Sequence, residues 1–359
     1  MSTWGSAVWL DRGVIGWDVG GAHLKVAAIG SDDSLLWVRQ LPLPLWRGLS
    51  HLDETVSQIA KVDDLSRYEH VVTMTGELVD LFDDRKDGVV TLATRLQGLL
   101  PTPEFRLYAG GRGWVVPSQA ASAALDIASA NWHATAAWLA RCHPRGVLVD
   151  IGSTTTDILA FHDGEVAHRG FSDRERLASE ELVYTGIVRT PVMAVAQRVP
   201  LQGEWLSLAN EHFATMADVY RVLELLPANA DQHDTADGRD KSLQSSMRRL
   251  ARMVGADVQD ANPSEWHCLA AYIAERQMDS IANACWRQLS RPGVGRATLF
   301  GAGIGKFLVH PLAQRLGCDT ADLDALLGRP QFGDLPAASC APAVAVARLA
   351  RLQVLSCAC

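Results

Sequence analysis

Lysine is scarce in this chain of 359 residues: of 33 basic residues only five are lysine, Lys25, Lys61, Lys86, Lys241 and Lys306. The rest is scattered arginine, and the formal net charge is −8. Binding to nucleic-acid phosphates needs clustered Lys and Arg, so a general nucleic-acid binder is excluded. Small phosphorylated molecules are not, because backbone amides at a tight turn hold them without net positive charge. Paired cysteines are absent too. The seven cysteines stand at 142, 268, 285, 318, 340, 357 and 359, with no CxxC pair, which excludes a zinc knuckle and a disulfide framework. Neither a run of about 18 apolar residues nor a basic-then-apolar leader occurs. The expectation is a reduced, cytoplasmic protein with no membrane partner.

What is present is a soluble globular composition, 48% hydrophobic and 21% charged, on a chain long enough for two domains. Residues 14–30, "VIGWDVGGAHLKVAAIG", read as two apolar strands joined through Gly20 and Gly21, and residues 35–41 as a third after the turn "SDDS", giving a meander. A helix near 52–62 and a buried strand at 70–74 follow. The alanine-rich stretch after Pro117 predicts one long helix over 118–141, capped by Ser118 and packed on the first sheet. Pro144 and Gly146 end it, and "GVLVDIGSTTTDILAFHDGEVA" repeats the pattern of strand, glycine turn, strand, turn, strand. Residues 169–290 read as mostly helical, and 297–317 as strand, glycine turn and helix. The predicted division is 1–143 and 144–359. The second part carries a helical insertion at about 169–290, and the C-terminal helix is able to return to the first part.

The stretch "VDIGSTTTDI", residues 149–158, concentrates polar groups at a strand end. Asp18 and Asp150 each close a buried strand before a glycine turn. Carboxylates so placed suit Mg²⁺, a hard cation that takes oxygen ligands. Gly20, Gly21 and Gly152 let the backbone approach a phosphate, and Ser153, Thr154, Thr155 and Thr156 add hydroxyl donors that a phosphate or diphosphate would satisfy. Asp157 is a candidate base. The plainer alternative is a decorated β-turn satisfied by its own backbone. Lys25 reads equally as a phosphate contact or as a side chain snorkelling from a strand. Asn131 and Trp132 fall inside the predicted long helix, where packing is the usual role, with Asn131 a candidate for the cleft. Glu77 in "TGEL" reads as a helix cap after Thr75 before it reads as catalytic. Arg189 in "LVYTGIVRTP" is a candidate clamp for an anionic substrate. In "TADGRDKS", residues 235–242, Asp237, Arg239 and Lys241 either close over such a substrate or form a solvated linker. Cys142 and His143 face different ways at a helix end and are set aside.

Three segments, "GWDVGGAHLK", "VDIGSTTTD" and "LFGAGIGKFL", resemble the phosphate 1, phosphate 2 and adenosine motifs of the superfamily of sugar kinases, Hsp70 and actin, and "DIGSTTTD" resembles its hydantoinase and oxoprolinase branch. The resemblance implies an α/β fold of two RNase H-like domains with a central cleft, and it adds Gly301 and Gly303 to the phosphate-binding set. "DVGGAHLK", "TMTGELVDLF", "SANWHATA", "LVYTGIVRTP" and "TADGRDKS" are together similar to proteins linked to the tetrahydromethanopterin C1 pathway, akin to the archaeal methanofuran-biosynthesis synthase. That similarity implies a transferase that joins a furanmethyl diphosphate to the phenol oxygen of γ-glutamyltyramine and releases diphosphate. Its substrates are then a small-molecule diphosphate and a phenolic amine, its cofactor Mg²⁺, and a homodimer is compatible with it. Asp18, Asp150 and Lys25 would meet the charge of the leaving group, and His23 or Asp157 would take the phenol proton. Where many sugar kinases carry a hydroxyl residue after the paired glycines, this chain has Ala22 and then His23, which speaks against ATP-dependent phosphoryl transfer. An ATP-dependent kinase or an oxoprolinase-like enzyme is the alternative, and a nucleotide-switched binding protein would need a partner-binding domain that the sequence does not supply.

Overall fold

A computed structural model describes residues 12–102, 105–228, 230–232 and 234–357. β1 (Gly13–Val19) and β2 (His23–Ile29) pair antiparallel around the paired glycines, and β3 (Leu35–Pro42) adds to β2 after a turn in which Asp32 accepts from the Ser34 amide. The expected meander forms. α1 (Ser50–Ala60) buries Leu52, Val56 and Ile59 at helical spacing. β4 (Tyr68–Met74) runs parallel to β1 with every residue buried, as a strand covered on both faces must be. α2 (Arg85–Leu99) is N-capped by Asp84, and β5 (Arg106–Tyr108) and β6 (Trp114–Val115) complete a sheet of order β3-β2-β1-β4-β5-β6.

The single helix expected over 118–141 does not form. The chain makes a 3-10 turn at Pro117–Gln119, then α3 (Ala124–Ile127) and α4 (Asn131–Cys142). The break is at Ser129, whose φ of 53° is left-handed and cannot continue a right-handed helix. The Ser129 hydroxyl donates to Glu77 Oε1 at 3.0 Å. A tertiary contact thus overrides the helix propensity of the alanines.

β7 (Arg145–Ile151), β8 (Thr156–His162) and β9 (Glu165–Val166) are followed by α5 (Asp173–Ser179) and β10 (Leu182–Val183). A hairpin of β11 (Arg198–Leu201) and β12 (Glu204–Ser207) precedes α6 (Met216–Val222), α7 (Leu243–Met253) and α8 (Pro263–Leu289). The region at about 169–290, expected to be mostly helical, holds the four helices α5 to α8 together with β10 and this hairpin. α8 starts on a capping box: the Asn262 side chain accepts from Ser264 and Glu265 amides, and Glu265 accepts from the Asn262 amide. β13 (Leu299–Ala302), α9 (Val309–Leu316), β14 (Thr320–Asp322), α10 (Leu323–Leu327) and α11 (Ala341–Cys357) complete the chain described. The second sheet has the order β10-β8-β7-β13-β14, with β9 on β8. Both sheets place a hairpin beside a parallel strand in the 3-2-1-4-5 manner, which is the expected pair of RNase H-like sheets.

The chain forms two compact units that are not continuous in sequence: residues 1–146, 161–175 and 322–359, and residues 147–160 and 176–321. A single boundary at 143/144 therefore does not describe them. Residues 161–175 group with the first unit because β9 lies on α4 and the His168 and Phe171 rings pack on Trp132 and His133, and residues 322–359 because of what α11 must bury. Its residues Ala341, Ala343, Val344, Ala345, Val346 and Ala347 are all fully buried, and the helix lies on β1, β2, β4 and α4. A Cβ at Gly16 would fall 2.0 Å from the Ala343 carbonyl oxygen, so β1 admits this helix only through glycine. The opposite face of the first sheet packs Ile15, Trp17, Val72 and Met74 on Leu52, Val56, Val89 and Leu92. Among the described residues no helix is long and apolar enough to cross a membrane.

Candidate functional site

In the first unit Asp18 is the penultimate residue of β1 and 3% exposed. Its register partners are Lys25 on β2 and Thr73 on β4, and Lys25 is opposite Gln40 on β3. Register partners share a face of the sheet, so Gln40, Lys25, Asp18 and Thr73 form one polar row across four strands. Thr73 Oγ1 and Gln40 Oε1 are buried without a hydrogen-bond partner among the described residues. Lys25 is half-buried, and Cys340 lies close enough to feel both charges: burial pushes its thiol up to about 12, against the pull of Lys25.

The turn after Asp18 is packed tightly. A Cβ on Gly21 would meet Val79 Cγ1 at 2.7 Å, and one on Gly76 would meet the carbonyl oxygens of Val19 at 3.1 Å and Gly20 at 3.2 Å. The carbonyls of Gly21 and Ala22 accept from the Leu45 and Leu43 amides. The 3-10 turn Gly76–Leu78 at the end of β4 thus lies against the Gly20–Gly21 turn, a meeting that the sequence did not signal. His23, half-buried, opens β2.

Glu77 does not cap a helix. It lies within the 3-10 turn, 2% exposed, with Oε1 accepting from Ser129 and Oε2 without a partner among the described residues. Burial is the largest cause that raises its carboxyl to about 7, and the Asp173 charge adds to it. Beyond Ser129, Asn131 is the first residue of α4 and its Oδ1 accepts from the Trp132 amide, an end position and not the mid-helix one expected. Trp132, His133, His168 and Phe171 pack as four mutually touching rings, with centroids 5.3 to 5.9 Å apart.

In the second unit Asp150 is half-buried on β7, level with Ala302 on β13. The turn that follows closes with the Gly152 amide donating to the Thr155 carbonyl at 2.8 Å, and Ser153, Thr154 and Thr155 are half-buried around it. A second glycine turn leans on this one. Gly303 has φ 77°, and a Cβ there would fall 2.3 Å from Asp150 Oδ1 and 2.4 Å from the Ile151 carbonyl. The Gly305 amide donates to that same carbonyl at 2.8 Å, whereas Gly301 meets Val309 of α9. A third segment closes the group: a Cβ on Gly186 would lie 2.5 Å from Thr154 N, and the amides of Val188 and Arg189 both donate to the Ser153 carbonyl. The Arg189 side chain is exposed. The structure therefore places Asp150, Gly152, Ser153, Thr154, Thr155, Gly301, Gly303 and the Arg189 backbone in one neighbourhood, with Gly186 and Gly305 as further members.

Two residues of the stretch face elsewhere. Thr156 is fully buried and its hydroxyl donates to the Thr185 carbonyl at 2.7 Å. The Asp157 carboxylate pairs with the buried Arg176 guanidinium, and acting as a base would require breaking that pair. Arg239 and Lys241 have other partners as well. Lys241 Nζ donates to the Asp231 carbonyl at 2.8 Å, and the exposed Arg239 contributes its amide to Asp237. Asp237 is bound by the fully buried Arg249, which also holds Asp218 at 2.7 Å. The loop at 235–242 is therefore anchored to α6 and α7, with residues 238–242 exposed to solvent.

Among the described residues no group of three or more His, Cys, Asp or Glu side chains is placed to hold a metal ion. The donor set at each glycine turn is one carboxylate. That suits Mg²⁺, which commonly takes one or two carboxylates, substrate phosphate oxygens and water, and does not suit an all-protein cage.

Residues 69–351 match the description of the hydantoinase/oxoprolinase family. The chain belongs to that family. The matched span includes Glu77, the Asp150 turn and the Gly301–Gly305 turn, and leaves Asp18 outside it. Within reach of direct comparison, a (4-{4-[2-(gamma-L-glutamylamino)ethyl]phenoxymethyl}furan-2-yl)methanamine synthase of Methanocaldococcus jannaschii is 31% identical over 245 residues, 68% of this chain and 72% of that protein. A protein of the same name from Methanococcus vannielii is 28% identical over 157 residues, 44% of this chain and 70% of that protein. The nucleotide-free structure of an acetone carboxylase aligns with a TM-score of 0.60 at 12% identity, over 94% of this family member and 70% of that chain, which shows a shared fold.

Proposed function

We propose that this chain is a transferase of methanofuran-type C1-carrier biosynthesis, joining a furanmethyl diphosphate to the phenol oxygen of γ-glutamyltyramine or a related tyramine derivative. The observation that carries the reading is the 31% identity to a synthase whose product name contains a phenoxymethyl-linked furan. The Asp150 turn supports it, because three backbone segments rich in glycine converge there around hydroxyl side chains and suit a multiply charged phosphate. In the reaction the bond between the furanmethyl carbon and diphosphate oxygen breaks, the aryl ether bond forms and the phenol proton departs. The glycine turns and the Ser153, Thr154 and Thr155 hydroxyls hold the leaving group, and Arg189 adds positive charge beside it. Mg²⁺ held at a glycine turn by its one carboxylate, Asp150 in the second unit or Asp18 in the first, would supply further neutralisation of the diphosphate. With Asp157 tied to Arg176, His23 is the base we assign to the phenol.

The test offers the pure protein Mg²⁺ with either ATP or a furanmethyl diphosphate plus a tyramine derivative, and follows phosphate and diphosphate separately. Diphosphate release only with the second pair is the expected result, in keeping with Ala22 where a kinase would carry a hydroxyl. Acceptor-stimulated ATP turnover would replace this reading with a kinase or oxoprolinase one.

A further inference from the structure

Glu77 is the buried acid that the reading above leaves without a task. A carboxyl removed from water needs partners for both oxygens, and here only Oε1 has one, the Ser129 hydroxyl at 3.0 Å. Oε2 is buried and unpartnered, and no lysine, arginine or histidine among the described residues pairs with Glu77. The charged group acting on it is Asp173, reaching from the start of α5 and itself paired with Arg85 of α2 at 3.5 Å. A second negative charge nearby favours a cation at Oε2 and disfavours an anion. The geometry is held in place from two sides. Ser129 takes a left-handed φ to present its hydroxyl, and Gly88 of α2 has no side chain where a Cβ would fall 2.8 Å from the Glu77 Cα. The neighbouring residue Gly76 touches the Gly20 carbonyl, so the carboxyl stands one residue away from the phosphate-type turn of its own unit. On its other side the chain reaches the surface at once, Leu78 being 42% exposed.

We propose that the Glu77 carboxylate, steadied by Ser129, is the receptor for a primary ammonium group on the substrate, the ligand class being an aminomethyl-substituted furan. The proposal rests on the transferase reading for the identity of that ligand. The relatives' product is a furan-2-yl methanamine, and such an amine is an ammonium ion at neutral pH, as lysine is. An ammonium donates hydrogen bonds to Oε2 and supplies the countercharge that the buried carboxylate lacks. Unliganded, Glu77 holds a proton up to about pH 7, and the ligand takes that proton's place.

The experiment is calorimetric binding of two probes to the full chain, furan-2-ylmethanamine and its neutral counterpart furan-2-ylmethanol, between pH 5.5 and 8.5. The amine is expected to bind at least tenfold more tightly than the alcohol at pH 8. Its affinity should fall towards tenfold per unit below pH 7, where binding must release one proton. Glu77→Gln is expected to abolish both the preference and the pH slope while leaving alcohol binding unchanged, and Ser129→Ala to weaken amine binding severalfold. Equal binding of the two probes, or a wild-type amine affinity flat from pH 5.5 to 8.5, overturns the proposal, and the wild-type profile decides even if the Gln variant fails to fold. The two readings fail separately. Ether formation without amine preference refutes only the ammonium receptor, whereas a Glu77-dependent amine preference without ether formation refutes only the transferase.

Discussion

Asp150 stands in the space that a side chain at Gly303 would fill. Gly303→Ala must both leave a φ of 77° and push a carboxylate whose Oδ1 lies 2.3 Å from the new Cβ. The backbone part alone costs about 1 to 2 kcal/mol. Diphosphate release is expected to fall at least 100-fold in this variant, and unchanged turnover would show that Asp150 has no fixed position to keep. The acidic residues separate by the same logic. Asp18→Asn and Asp150→Asn are expected to abolish turnover with melting temperatures close to wild type, because their charge serves the ligand. Asp157→Asn instead removes a carboxylate partner of the Arg176 guanidinium, 2% exposed, a loss on the order of 3 kcal/mol. Paired melting and turnover measurements distinguish the classes, and near-wild-type rates in either of the first two variants would remove that residue from the site.

At the scale of elements, the loop at 235–242 depends on one buried arginine. Arg249 on α7 binds Asp218 of α6, Asp237 of the loop and the Asp240 carbonyl. Arg249→Met is therefore expected to destabilise the protein by about 3 to 5 kcal/mol and to expose Arg239 and Lys241 to trypsin in the folded state. A variant as resistant as wild type would show that something else anchors the loop. Elements whose cause is local were legible in the sequence: alternation and glycine turns gave the meander of β1 to β3, and the polar run after Asp150 gave the turn from Gly152 to Thr155, whereas Gly301 and Gly303 entered through the family resemblance. The division of 118–141 into α3 and α4 was not, because the left-handed Ser129 answers to Glu77, 52 residues away along the chain. Gly186 was equally hidden, its need for glycine arising from Ser153 and Thr154. The β11–β12 hairpin turns on Gln202 and Gly203, both at positive φ, and a Gln-Gly pair is not among the dipeptides that mark such a turn in a sequence.

For the molecule as a whole, two buried groups oppose each other as pH changes. Between about pH 4.5 and 7 native Glu77 keeps a proton that the unfolded chain has released, so its contribution to stability is full at low pH and fades as pH rises to 7. His70 does the reverse. Burial holds it down to about 4, and its neutral ring accepts from Trp17 Nε1 at 3.0 Å and donates to the Leu65 carbonyl. The unfolded chain takes up a proton below pH 6.5 that the native ring refuses, so this contribution rises with pH from 4 to 6.5. Each is worth about 3 kcal/mol at about 1.4 kcal/mol per unit, and between pH 5 and 6.5 they nearly cancel. Glu77→Gln should therefore unmask a urea midpoint that climbs from pH 5 to 6.5, and a profile parallel to wild type would mean that Glu77 does not titrate there. The cover of the first sheet has a consequence in time. β1 and β2 leave the ribosome early, yet the helix that fits the groove at Gly16 begins at Ala341, about 300 residues later. At roughly 5 to 20 residues per second, the strands wait about 15 to 60 s during synthesis with one apolar face bare until α11 arrives to cover it.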